Sequence, residues 1–224
     1  MKMLLKKIFD LRQNRNKNSK YSELYFKNKK YTMIDEKTFI NNLKIAEKAK
    51  KIEGDIVECG VWRGGMIAGI AELLGAKSKY FLYDSFEGLP EAKAIDGQSA
   101  LNWQNDVKGD YYFDNCKAEI NYANEAMSKT GVDFELIKGW FENTVPTNKH
   151  DSISLLRLDA DWYDSTKICL EHLFPKVVKD GIIIIDDYYV WEGCTKAVHD
   201  YLSEIKSSSR IYQLDNRTAY IIKS

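Results

Sequence analysis

Residues 181–193 read GIIIIDDYYVWEG: four consecutive isoleucines run without a break into two aspartates. A run that is apolar at every position, not every second one, fits a strand buried on both faces, and such strands belong to parallel sheets covered by helices on either side. The rest of the chain supplies that setting. β-Type runs at 55–61 (DIVECGV), 80–86 (YFLYDSF), 133–139 (DFELIKG) and 152–160 (SISLLRLDA) alternate with helix-length segments, among them helices expected over 36–51 and 113–130. The closing stretch RIYQLDNRTAYIIK reads as two strands around an Asp-Asn-Arg turn, which adds an antiparallel strand at one edge. The expectation is an α/β domain over 36–224 with a parallel sheet, preceded by a basic helical segment over 1–35.

Charge separates that segment from the body. Residues 1–30 hold ten Lys/Arg against Asp10 and Glu23, which leaves the remainder acidic by eight charges and argues against a nucleic-acid-binding body. The basic segment reads as a solvated helix and polar link, with peripheral docking on an anionic membrane surface or a phosphate-bearing substrate as the alternative. No apolar run is long enough for a transmembrane helix. Cys59, Cys116, Cys169 and Cys194 lie far apart without CxxC spacing and read as reduced thiols of a cytoplasmic protein. Assembly into a homo-oligomer stays open.

In parallel α/β sheets, ligands bind beyond the carboxyl ends of the strands. Acids recur at those ends: Glu58 near the first, Asp84 at the second, Asp159 at the fourth, Asp186 and Asp187 at the fifth. The first strand turns through VECGVWRGG, where Gly60, Gly64 and Gly65 let the backbone approach a ligand and open a helix with free N–H groups. The pattern is not GxGxxG. Asp84, some two dozen residues on, stands where an acid accepts hydrogen bonds from ribose hydroxyls, with a helix N-cap as its plainer reading. Together they suggest an adenosine-containing cofactor, NAD(H) or S-adenosylmethionine. Asp159, Asp186 and Asp187 distinguish the two. Three converging carboxylates repel one another, so their pKa values rise or a cation joins them. Oxygen ligands without nearby His or Cys favour Mg²⁺, with Mn²⁺ or Ca²⁺ as alternatives. An NAD-dependent sugar oxidoreductase has no evident need for that ion.

At VECGVWRGG, YDSFEGLP, KGWFENTVP, LLRLDADWYDST and IIIIDDYYVWEGCTKAVHDY the chain closely resembles the macrocin O-methyltransferase (TylF/MycF) family, over roughly residues 30–224. The resemblance implies a class I, Rossmann-like methyltransferase: a seven-stranded, mostly parallel sheet with an antiparallel C-terminal strand. It also implies S-adenosylmethionine and Mg²⁺ as cofactors and, as acceptor, a sugar hydroxyl on a nucleotide sugar, a polysaccharide precursor or a glycosylated metabolite. By motif, Glu58, Gly60, Val61, Trp62, Arg63 and Gly64 resemble the wall around the methionine end of the cofactor. Asp84, Ser85 and Phe86 match the ribose side, and Gly139, Trp140 and Phe141 the adenine side. Asp159, Asp186 and Asp187 match the metal ligands, with Asp159 as ligand and general base and Asp161 as the alternative base. Trp103, Tyr111, Tyr163, Tyr188 and His199 are the candidate substrate contacts, His199 having a plainer reading as a support for the loop after Asp187. The segment of about 87–112 is the expected lid. A non-catalytic cofactor-binding subunit is the remaining rival, and retention of all three candidate ligands weighs against it.

Overall fold

A computed structural model describes residues 19–224. The basic segment's residues 1–18 lie outside the described residues. A helix, α1, covers residues 19–28. Seven strands follow: β1 (Asp55–Cys59), β2 (Tyr80–Asp84), β3 (Phe134–Lys138), β4 (Ile153–Leu158), β5 (Val177–Ile185), β6 (Ile211–Gln213) and β7 (Ala219–Ile222). They form one sheet in the order β3-β2-β1-β4-β5-β7-β6. The pairs among β1 to β5 are parallel, whereas β7 is antiparallel to both β5 and β6. The order reverses between β1 and β4, and a crevice opens at such a switch point.

The isoleucine run explains how the sheet is covered. Successive side chains on a strand point to opposite faces. Ile182 and Ile184 accordingly join one core with Phe39 and Leu43 of α2 (Glu36–Ala46), Ile67 and Ile70 of α3 (Gly65–Leu74), and Met127. Ile183 and Ile185 join the other, with Leu170 and Leu173 of a helix over Tyr163–Leu173 and Val198 and Leu202 of one over Glu192–Glu204. Tyr21, Tyr25 and Tyr31, from the stretch ahead of α2, are buried in the first of these cores.

Between β2 and β3 run α4 (Gln98–Asn105) and α5 (Ile120–Ser128). Helix was expected from 113, but Phe113, Asp114, Asn115 and Cys116 all have positive φ. Tertiary contacts override helix propensity there. Asn115 accepts from Leu89 N–H through its backbone and donates to the Leu89 carbonyl at 2.8 Å, which draws the segment into the loops around residue 90. Likewise the 36–51 helix tightens into a 3₁₀ turn over Glu47–Lys51. A short α6 (Phe141–Thr144) follows β3, and the two helices named above by range are α7 (Tyr163–Leu173) and α8 (Glu192–Glu204).

Candidate active site

The carboxyl ends of β1, β2, β4 and β5 surround a cavity of about 450 Å³. Its cofactor-like half is shaped by backbone. Gly60 (φ +87°) turns the chain out of β1, and a side chain there would sit 1.7 Å from the Asp159 carbonyl, so the turn and β4 meet only through glycine. Gly64 (φ +82°) precedes α3 without a side-chain cap, leaving the first N–H groups of that helix open to an anionic ligand. Asp84 organises the turn. Its Oδ2 accepts from Val61 and Trp62 N–H at 2.7 and 2.8 Å, and its Oδ1 from Phe86 N–H at 2.6 Å. Burial pushes its carboxyl up in spite of these three bonds. A carboxylate has about four lone-pair sites, so Oδ1 keeps capacity for a ribose hydroxyl.

Around that half, Glu58, Gly60, Val61, Trp62, Asp84, Ser85, Trp140 and Phe141 line the cavity. Arg63 does not; its guanidinium lies over the Trp62 ring at 4.4 Å and the Tyr122 ring at 4.8 Å. Gly64, Phe86 and Gly139 shape the walls from behind, Phe86 as a core residue with φ +57° and Gly139 at φ +147° before Trp140.

The other half is charged. Arg157, 1% exposed, faces Glu58 across the β1–β4 register and donates to it at 2.9 Å. It also reaches Asp159 at 2.9 Å, Asp186 at 2.5 Å and the Asn42 side chain at 3.1 Å. A fully buried guanidinium is tolerable only when its donors are spent on acceptors, and here they are. Arg157 was quoted in the motif but not singled out as a site residue. The missed signal was a basic residue at a strand position where every neighbour is apolar.

With Asp186 drawn to Arg157, the carboxylates gathered at the floor are Asp159, Asp161 and Asp187, with one ligand atom from each within 4.8 Å of the others. This trio differs from the expected Asp159, Asp186 and Asp187, because Asp161 takes the third place after a left-handed turn (φ +54°) aims it inward. Desolvation at the cavity floor, then the charge of Asp159, pushes the Asp161 carboxyl up to about 8. Desolvation also raises Asp187, and it raises Asp186 to about 6 against the pull of Arg157. Asp187 Oδ2 is buried with no hydrogen-bond partner, while Oδ1 receives only Arg217 at 3.3 Å. Carboxylates this close, one with an orphaned oxygen, fit a hard divalent cation.

Trp103 and Tyr111, in the segment of 87–112, line the cavity. Tyr163, Tyr188 and His199 do not. Tyr163 donates to Asp200 at 2.9 Å, and Tyr188 pairs with His199 Nε2 at 2.7 Å behind the loop that follows Asp187. Trp191, Arg217 and Cys116 also line the cavity and were not anticipated as contacts.

Strand order, the glycine turn into α3 and acids at the ends of β2, β4 and β5 define a class I methyltransferase. The sequence comparisons agree and go further. The chain belongs to the macrocin-O-methyltransferase (TylF) family, whose model matches residues 5–223, and it is therefore an O-methyltransferase. It is 32% identical over 200 residues to demethyldecarbamoylnovobiocin O-methyltransferase of Streptomyces niveus, covering 85% of this chain and 74% of that one. It is 30% identical to mycinamicin III 3''-O-methyltransferase of Micromonospora griseorubida, covering 85% and 77%. The solved O-methyltransferase NovP superposes with a TM-score of 0.73 at 27% identity, over 87% of this chain and 82% of that chain. Among the described residues, no helix is long and apolar enough to cross a membrane.

Proposed function

We propose that the protein transfers a methyl group from S-adenosylmethionine to a sugar hydroxyl, with a divalent cation, Mg²⁺ first, at the carboxylate floor. The observation that carries this reading is the convergence of Asp159, Asp161 and Asp187 beside an uncapped helix N-terminus in one cavity. The names of the relatives support the sugar, since one acts on mycinamicin III at a 3''-oxygen and another on a rhamnosyl-tetracenomycin.

The cofactor's carboxylate suits the N-terminus of α3, its ribose the spare capacity of Asp84, and its adenine the walls given by Trp140 and Phe141. Bound there, it supplies an electrophilic methyl group. Asp159 and Asp187 would hold the cation, with Asp161 as the third carboxylate in reach. A cation so placed would supply Lewis-acid chemistry that makes an acceptor hydroxyl more acidic. Asp161 then accepts the proton the hydroxyl gives up. It suits that role better than Asp159, whose Oδ2 is paired with Arg157, whereas Asp161 bears only a neutral indole N–H. The rigid sheet edge keeps the hydroxyl in line with the methyl donor, and positioning of that kind contributes much of the acceleration in such displacements.

The test is methylation by the purified protein with isotopically labelled S-adenosylmethionine, a panel of dTDP- and UDP-linked deoxysugars and rhamnosyl glycosides, and Mg²⁺ or EDTA. Labelled O-methyl sugar that disappears with EDTA and returns with Mg²⁺ is expected. Undiminished transfer in EDTA would remove the cation, and transfer only to non-sugar hydroxyls would remove the acceptor class.

A further inference from the structure

Three indoles pack beside the carboxylate floor in a mutual edge-to-face triangle, Trp103 and Trp191 lining the cavity and Trp162 behind them. Trp162 and Trp191 have ring centroids 5.3 Å apart, Trp103 and Trp191 5.9 Å, and Trp103 and Trp162 6.1 Å. Edge-to-face arrangements of this kind are preferred over a sandwich by the ring quadrupoles, so they fix relative ring positions. What matters more is where each ring N–H goes. Trp103 donates to the Tyr111 carbonyl at 3.0 Å, in the outer part of the lid. Trp162 donates to the Pro90 carbonyl at 3.0 Å, at the lid's base. Trp191 donates at 2.9 Å to Oδ1 of Asp161. Two of the three therefore hold lid backbone and the third holds an acid of the floor.

The lid is fastened to the same elements at a second place. Asp96, 2% exposed, accepts from the N–H of Tyr163 at 2.7 Å, the first residue of α7, just after Asp161 and Trp162. Gly193, in the first turn of α8, has no room for a side chain because Asp96 Oδ1 would lie 2.5 Å from its Cβ. The stretch around Asp96 is thus seated on the starts of the two helices that follow β4 and β5. Displacing the lid base would disturb the turns that carry Asp161 and Asp187.

We propose that Trp191 is a positioning residue: its indole N–H fixes the carboxylate of Asp161, and its contacts with Trp103 and Trp162 make that aim depend on the lid being seated. The inference rests on the reading of Asp161 as proton acceptor. With Oδ1 held by the indole, one oxygen remains to receive the proton. When the lid lifts, the triangle loosens and Asp161 loses its fixed orientation, so the acid is set for catalysis only in a covered, water-poor cavity.

The test uses the full chain with S-adenosylhomocysteine and Mg²⁺. The five tryptophans give five indole N–H signals in a ¹⁵N–¹H spectrum, and Trp191→Phe identifies the Trp191 signal by removing it. Trp191→Phe keeps a ring in the triangle and deletes only the donor. Its kcat should fall about 10–100-fold on the sugar methylated by the wild type, with acceptor KM and S-adenosylhomocysteine affinity nearly unchanged, as for a misaimed group rather than a damaged pocket. Trp103→Leu, altered only on the lid side, should move the Trp191 signal while those of Trp62 and Trp140, at the cofactor end, stay in place. A kcat for Trp191→Phe within about twofold of wild type, or a Trp191 signal unmoved in Trp103→Leu, overturns the proposal. Failure of the underlying reading looks different: Asp161→Ala would then retain turnover, whereas an inactive Asp161→Ala beside a fully active Trp191→Phe sinks this inference alone.

Discussion

At the floor of the cavity one buried guanidinium reaches carboxylates from β1 and from the ends of β4 and β5, whereas the 87–112 segment, the lid of the proposal, rests on three indoles and a few backbone carbonyls. The two regions meet through the bond from Trp191 to Asp161, the bond from Trp162 to Pro90, the seat of Asp96 on α7 and the ion pair of Lys93 with Asp164. The floor is charge locked into strand geometry: moving one member exposes the others, so it holds one arrangement or fails. The lid is apolar contact, isolated hydrogen bonds and exposed ion pairs, which tolerate small shifts. Substitutions in the floor should therefore act on kcat or on folding, and substitutions at the lid's outer part on acceptor KM.

The largest effect expected on that contrast is at Asp161. Asp161→Ala should lower kcat by about 10²–10⁴-fold, the usual contribution of a positioned general base, with S-adenosylhomocysteine binding by calorimetry little changed. Equal losses of kcat and cofactor affinity would instead make Asp161 part of the cofactor seat and blur the division between the two regions.

Arg157 carries the next. Arg157→Ala leaves Glu58 and Asp186 buried without a counter-ion, and truncating one side of such a pair costs about 3–5 kcal/mol. Urea unfolding should show it. The pH dependence has a definite sign. Glu58 and Asp186 already hold protons more tightly folded than unfolded, burial raising them to about 8 and about 6 against the opposing pull of Arg157. Removing the guanidinium raises both further. Protonation then favours the folded state, so the deficit of the variant should be greatest above pH 8 and shrink as pH falls through 6. A deficit independent of pH would mean that Arg157 acts through packing alone.

The same contrast governs what the sequence made legible. The floor could be read because it is local: a strand apolar at every position followed at once by Asp186 and Asp187 places those residues at a sheet edge, and the glycines before α3 place the turn. What could not be read was the choice among carboxylates. Whether Asp161 or Asp186 completes the trio depends on Arg157 drawing Asp186 away and on a left-handed turn at Asp161, both of which arise only once β1, β4 and β5 are side by side. The lid was harder. The helix expected from 113 begins only at Ile120, because Asn115 bonds to Leu89 twenty-six residues earlier, a contact that no local periodicity encodes. Trp162 lies behind the cavity lining as a support for the 87–112 segment, 2% exposed and bonded to Pro90.

The smallest effect should fall at the edge of the lid, and it tests the contrast most sharply. Tyr111 is 77% exposed and lines the cavity mouth, yet no bond from its side chain to the floor is present among the described residues. Its backbone carbonyl holds the Trp103 indole, and that bond survives any side-chain substitution. Tyr111→Ala should therefore leave stability within about 0.5 kcal/mol, as for exposed positions generally. The ring remains free to stack on an acceptor, so acceptor KM should rise by a few-fold while kcat holds, the pattern of binding energy shared equally by ground and transition states. A fall in kcat with KM unchanged would mean that this outermost ring also helps to aim Asp161, and that the boundary between a rigid floor and an adaptable lid runs further out than Trp103.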